Sequence, residues 1–286
     1  MPGPVILTSE QHDEFDRRGV LRLAGLLSAD RVGRARDYVQ RRLERVGLWR
    51  DGAWRLGDRP RPRWPDSGVK SSKVIGNRPP DVEALLGEPA LIAVVDALLE
   101  GHAWGRGVYR RPQVLFTLPN ADVWTMPTGW HVDAPRLASG RRPGLQLFTF
   151  LDVVAPGGGG TLVVAGSHRL LNAGRVIRAA DMMRLLRREA FFRDLYSPAP
   201  ASAPTRGDAR ARWLNHTGAV GDVALELVEL TGAPGDAYLM DLRVLHAGAP
   251  NACDRPRMMA THRFVREDVA GELAAAFGWG DAPPSA

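Results

Sequence analysis

Six short apolar runs follow one another after residue 110, at 114–118, 145–154, 160–165, 223–230, 237–240 and 258–265. Glycine, proline and asparagine separate them. Runs this short, bounded by turn residues, read as strands rather than helices. No strand, glycine-rich loop and helix follow one another in the order that a parallel nucleotide-binding sheet needs. The second half is therefore expected to be an antiparallel sandwich, barrel or jelly roll. One helix, at 180–196, interrupts it.

The first 110 residues have a helical period instead. Residues 8–18 read as a short helix with Thr8 or Ser9 as N-cap, ended by Gly19 and followed by a strand at 20–23. Ser28 caps a longer helix over 30–46. Its Val32, Ala35, Val39, Leu43 and Val46 recur at helical spacing and should face the core. Two short helices are expected at 80–87 and 88–100. Long polar segments at 47–72 and 197–221 read as loops, of a length that is often functional. The expected organisation is one domain over 1–286. A helical layer spans 1–110, a β core with lid insertions spans 111–266, and a tail follows at 267–286.

Composition narrows the class. With 44% hydrophobic and 24% charged residues, the 286-residue chain is an ordinary globular one, not a disordered, collagenous or coiled-coil one. No apolar run approaches the ~18 residues of a membrane span, and the opening MPGPVILTSEQHDEF lacks the pattern of a secretory signal. The single cysteine, Cys253, excludes an internal disulfide and any multi-cysteine metal site. A reducing, cytoplasmic setting is the expectation. The charge of +6 would suit nucleic acid, but only Lys70 and Lys73 are lysines; the other 36 basic residues are scattered arginines. That skew reads as codon bias. No aromatic–basic cluster marks a strand-binding groove, so nucleic acid is not the expected partner.

Two of the seven histidines stand in informative surroundings. In Gly129-Trp130-His131-Val132-Asp133, a strand would turn His131 and Asp133 to one face. Far downstream, Asp236 to Asp241 reads as a strand, followed by a turn and a second strand carrying His246. Two histidines and one carboxylate make the facial triad that suits non-haem Fe(II) and leaves three coordination positions open. The triplet alone also fits a loop histidine beside a turn-capping aspartate. Its ordered company separates the two readings: the strand LQLFTFLDVV, the run from Gly157 to His168, then His246 and, eleven residues on, Arg257.

In that order, these elements resemble the phytanoyl-CoA dioxygenase family of Fe(II)- and 2-oxoglutarate-dependent oxygenases. The opening from Phe15 through Gly19-Val20-Leu21 to Ser28, the segment Ser72-Lys73-Val74, and Gly160–His168 resemble family features as well, with Ala165 where proline is common. The resemblance implies a double-stranded β-helix, a cupin-like jelly roll, with iron at its open end. It implies His131, Asp133 and His246 as ligands, and Arg257 on the distal carboxylate of 2-oxoglutarate. A planar guanidinium suits a carboxylate bidentately; Arg255 competes for that role two residues earlier. Lys73 is a further co-substrate candidate. Phe148 falls where tryptophan is common, with Gln146 on the same face. Gly248 falls where a serine often assists, and Thr117 and Thr161 are candidate substitutes.

The activity so implied is hydroxylation of an unactivated C–H bond in a small molecule, consuming O2 and releasing succinate and CO2 from 2-oxoglutarate. Asp133 speaks against a halogenase, in which a small residue replaces the carboxylate. Eight arginines of the two long loops, among them Arg59, Arg206 and Arg210, suit an anionic or carrier-bound substrate. The competing readings are an oxidative demethylase of nucleic acid and a silent binding scaffold. The remaining histidines read as structural or surface residues: His168 in a turn, His262 in the core, and His12, His102 and His216 on the surface. Asp241 reads as a turn former. Trp130 fits a pocket wall and core packing equally.

Overall fold

Why the apolar runs alternate so little becomes clear from their layers: the central strands are covered on both faces. The computed structural model describes residues 7–56, 74–76, 79–105, 111–172, 174–196, 208–214 and 217–277. Helix α1 (Ser9–Arg18) opens with a reciprocal cap, in which Thr8 and Gln11 each accept the other's backbone N–H. Gly19 ends it with φ of 69°, and a Cβ there would meet the His168 ring. Strand β1 (Val20–Leu23), helix α2 (Ala29–Glu44), a two-residue hairpin β2 (Trp49–Arg50) and β3 (Ala53–Trp54), and helices α3 (Pro80–Leu85) and α4 (Pro89–Leu98) follow. Next come β4 (Trp104–Gly105), β5 (Gln113–Thr117), β6 (Gly144–Phe150), β7 (Thr161–Ala165) and helices α5 (Ala179–Leu186), α6 (Ala190–Tyr196) and α7 (Asp208–Leu214). The chain continues through β8 (Thr217–Val220), β9 (Val223–Glu229), β10 (Ala237–Asp241), β11 (Leu245–Gly248), β12 (Arg257–Arg266) and α8 (Ala270–Phe277).

All described pairings are antiparallel. The larger sheet runs β1-β10-β6-β12-β4, with β5 also on β12; the smaller runs β11-β7-β9-β8. Phe148, Phe150, Val163, Ala165, Met240 and Met259 fill the space between them. The outer face of the larger sheet, through Leu145, Leu147, Leu239, Met258 and Ala260, packs on α2, α3 and α4. Leu162, Val164, Leu225, Leu227 and Leu245 of the smaller sheet pack on α5 and α6. Strand β6 is therefore buried at every position, as a strand with two covered faces must be. This is the expected mainly-β jelly roll with flanking helices.

Several expectations are corrected. The division at residue 110 is not clean, because β1 joins the larger sheet beside β10. Val46 lies beyond α2 and is exposed. Ser28 does cap α2 by position, but its hydroxyl donates to Glu88, which also accepts the Ser28 N–H. The helix expected at 180–196 is two helices, broken between Leu186 and Ala190. The β6 run stops at Phe150, since Val154 turns away to bridge Gly232. Part of the 197–221 loop forms α7 and β8, and α8 lies in the expected tail. No described helix is long and apolar enough to cross a membrane.

Candidate metal centre

A single tight turn gathers the cluster. Strand β10 ends at Asp241, and the chain reverses through Leu242 and Arg243 to β11. Asp241 accepts from the backbone N–H of Arg243 and, on both oxygens, from its guanidinium at 2.8 and 3.0 Å. Burial alone would raise the Asp241 carboxyl, but the charges and hydrogen bonds of Arg243, with His168 and Arg142, hold it well below the usual carboxylate range. Arg136 clamps the turn from the other side. Its guanidinium donates to the carbonyls of Leu170, Arg243 and Ser167 at 2.8–2.9 Å. The sequence reading gave Asp241 its turn role and missed all three arginines.

That turn positions both ligand segments. His131 and His246 exchange two backbone hydrogen bonds of 2.9 Å. The Leu242 carbonyl accepts from the N–H groups of Asp133 and Ala134. His131 is therefore a lone bridge residue, not part of the regular strand that the His-X-Asp spacing suggested. The three side chains still converge: their ligand atoms all lie within 4.8 Å of one another. Asp133 Oδ2 is 3.6 Å from His246 Nε2, and Oδ1 is 4.0 Å from His131 Nε2.

The donor set fits a divalent metal. His131 Nδ1 lies 2.9 Å from the Gly129 carbonyl and His246 Nδ1 lies 3.0 Å from that of Val244. A carbonyl only accepts, so each Nδ1 carries the proton and each Nε2 turns a lone pair to the cluster. Burial pushes the His246 imidazole down to about 4, so it is neutral, as a ligand must be. His246 is buried, Asp133 is partly buried and His131 is half exposed, which leaves one side of the cluster open.

Arg257 stands at the start of β12 in the larger sheet, on the face that Met259 turns to the space between the sheets. It is buried and donates to the Gly159 carbonyl and to Thr117 Oγ1. Its Nε has no hydrogen-bond partner, and no described carboxylate pairs with it. Burial pushes this guanidinium down to about 10, still protonated at neutral pH. A buried charge without a counter-ion is costly, and a ligand carboxylate would supply one. Gly160 lets the loop pass close to Leu230, whose carbonyl a Cβ there would meet at 2.4 Å.

Other expected residues divide. Phe148 is buried, its ring centroid 6.4 Å from that of His246. Gln146 donates to Thr261 Oγ1, and its buried Oε1 has no partner. Thr117 touches Arg257, whereas buried Thr161 pairs with Gly248 in the smaller sheet. Arg255 is exposed and pairs with Asp152, away from Arg257. Trp130 packs in the core beneath the smaller sheet. Lys73, His216, Arg59, Arg206 and much of both long loops lie outside the described residues. Arg263 was missed: its Nε and Nη2 donate to the two oxygens of Asp133 at 2.9 and 2.7 Å. Its even spacing from Arg257 on one strand was the available signal.

Comparison with known proteins follows the same line. The phytanoyl-CoA dioxygenase (PhyH) family profile matches residues 15–259. No curated protein matches the sequence significantly. Among solved structures, the non-heme α-ketoglutarate-dependent epimerase SnoN from nogalamycin biosynthesis is 16% identical, with a TM-score of 0.52, covering 97% of this chain and 90% of its own. SnoN is also matched in its complex with Fe3+, α-ketoglutarate and nogalamycin RO. The non-heme α-ketoglutarate-dependent carbocyclase SnoK is 16% identical, TM-score 0.55, over 93% and 87%. EctD from S. alaskensis is 18% identical, TM-score 0.55, over 100% and 88%. At these identities the likeness is one of fold.

Proposed function

The chain belongs to the phytanoyl-CoA dioxygenase family, and on that premise we propose that it is a cytoplasmic oxygenase that hydroxylates an unactivated C–H bond of a small molecule. Fe(II) would be held by His131, Asp133 and His246, and 2-oxoglutarate would be the co-substrate. The bound metal supplies the oxidising chemistry, with 2-oxoglutarate leaving as succinate and CO2. The carrying observation is the pairing of two features that face the space between the two sheets. Three metal-type donors converge within 4.8 Å, and a buried guanidinium without a described carboxylate partner starts β12 of the larger sheet.

Each residue has a part. His131 and His246 present Nε2 lone pairs, and Asp133 supplies a carboxylate oxygen. Arg257 binds the distal carboxylate, with Thr117 fixing its guanidinium. Phe148 walls the site beside His246 and keeps water from it. Gln146 Oε1 turns an acceptor into the interior. The exposed side of His131 is where substrate enters, and the arginines of the long loops, apart from Arg210, which pairs with Glu229, suit an anionic or carrier-bound one. The iron- and α-ketoglutarate-bound SnoN complex supports this reading through its fold.

The test is succinate formation with Fe(II), 2-oxoglutarate and O2, run against a panel of small natural-product and acyl-type molecules and, separately, against methylated oligonucleotides. Succinate coupled to a small molecule is the expected result. Turnover on oligonucleotides alone would contradict the proposal.

A further inference from the structure

Gln146 carries a buried oxygen whose direction is fixed by its neighbours and which has nothing to meet. Leu145 and Leu147 on either side of it pack outward on the helices, so by strand alternation Gln146 turns with Phe148 to the space between the sheets. Its cross-strand neighbours are Met240 on β10 and Arg263 on β12. Arg263 holds Asp133, and the Phe148 ring lies 6.4 Å from that of His246. Gln146 thus stands among the residues that border the three candidate ligands. A side-chain amide can be placed either way round, and here the hydrogen bonds decide. The Leu147 carbonyl only accepts, so the Thr261 hydroxyl that meets it at 2.7 Å donates. That hydroxyl then accepts at 3.0 Å from Gln146, which must offer Nε2. Oε1 is left on the other side. Gln146 is 4% exposed, and no described group donates to this oxygen. An acceptor buried in this way costs stability until a donor reaches it.

The co-substrate cannot be that donor. Both carboxylates of 2-oxoglutarate are ionised at neutral pH, and they and its keto group only accept. Resting on the proposed function, we infer that Gln146 is a specificity-determining residue whose Oε1 accepts from a hydroxyl or amide N–H of the primary substrate. The substrate class narrows to small molecules that bring such a donor into the site. Thr261 is the positioning residue, because its hydroxyl keeps the amide from turning over. A site that presents an unpaired buried acceptor discriminates against the analogue that lacks the donor.

The test takes a panel of small alcohols and amides. Each alcohol is paired with its deoxy analogue and its O-methyl ether, and each primary amide with its N,N-dimethyl form. Affinity is read by calorimetry on the protein loaded with Co(II) and 2-oxoglutarate, and kcat/KM by succinate formation with Fe(II). The free donor should be favoured by roughly tenfold or more. That ratio should fall toward one in Gln146→Leu and in Thr261→Val, whereas Thr261→Ser should keep it. The ratio compares two molecules on one protein, so general damage to the fold does not move it, and either of the first two variants suffices if the other does not fold. Calorimetry should also give Gln146→Leu a 2-oxoglutarate affinity within about threefold of the wild type, less than one hydrogen bond is worth. A wild type that treats the paired molecules alike would overturn the inference, as would a preference that survives both Gln146→Leu and Thr261→Val. A loss of 2-oxoglutarate affinity of roughly tenfold or more in Gln146→Leu would assign the residue to the co-substrate and overturn it too. A wild type that binds neither Co(II) nor 2-oxoglutarate would count against the proposed function instead.

Discussion

Two of the buried guanidiniums, those of Arg136 and Arg257, are satisfied in opposite ways. Arg136 has all three donor nitrogens on backbone carbonyls, from Leu170, Arg243 and Ser167. Arg257 reaches one carbonyl and one hydroxyl, and its Nε is left without a partner. Burial lowers both, to about 9 and about 10, so both stay charged at neutral pH. The first is a closed structural clamp on the turn that carries the ligands. The second is an incomplete arrangement that a carboxylate would finish. Burial alone does not separate structure from function; the state of the donors does.

The sharpest way to break the comparison is to remove each charge in turn. Arg136→Met leaves the Leu170 and Arg243 carbonyls without donors, and Ser167 with only the Leu170 N–H, and should cost about 3–5 kcal/mol of stability, read by urea denaturation. An unchanged midpoint would show that the clamp is not structural. Arg257→Met should leave stability within about 1 kcal/mol of the wild type, since removing a costly unneutralised charge offsets the two hydrogen bonds lost to Gly159 and Thr117. The same change should weaken 2-oxoglutarate binding roughly 100-fold, the cost of losing a buried charge-assisted pair, as calorimetry would measure. A variant that unfolds yet still binds co-substrate would reverse the two roles.

A third prediction uses Asp241, whose carboxyl is held below its ordinary value. In the unfolded chain an aspartate takes up its proton near pH 4, while the folded one still refuses it. This contribution is therefore complete above about pH 4 and is lost as the pH falls further. Urea midpoints should drop over that range, and Asp241→Asn should be less stable at neutral pH with a flatter acid limb. An acid limb identical to the wild type would contradict this. The smallest effect belongs to Arg255, an exposed partner of Asp152. Arg255→Gln should change stability by less than about 0.5 kcal/mol and leave 2-oxoglutarate affinity intact, which separates it from Arg257.

The residues that were legible in the sequence are those whose neighbours along the chain fix their setting. Thr8 or Ser9 and Gly19 bound α1, and the short apolar runs mark the strands because both of their faces are covered. His131, Asp133 and His246 could be read because they stand in a fixed order in recognisable company. What could not be read depends on partners far apart in the chain. Arg263 meets Asp133 across 130 positions, and Arg136 reaches Arg243 across 107; beyond the even spacing of Arg263 from Arg257, nothing local marks either among so many arginines. Ser28 looked like a self-sufficient cap, but its hydroxyl goes to Glu88. The strand β8 and helix α8 hide in polar or alanine-rich stretches whose order comes from packing. Arg255 and Arg257 look alike in sequence; they part because the strand begins at Arg257, which puts one in solvent and the other inside.

The most direct test of the central claim is an anaerobic titration of the purified protein with Fe(II) and then 2-oxoglutarate, watching the weak visible charge-transfer band of the chelate. The account predicts a band in the wild type, its loss in Asp133→Ala, and a weaker band at matched co-substrate in Arg257→Ala. A folded protein that shows no band, or one whose band is indifferent to both substitutions, would contradict it.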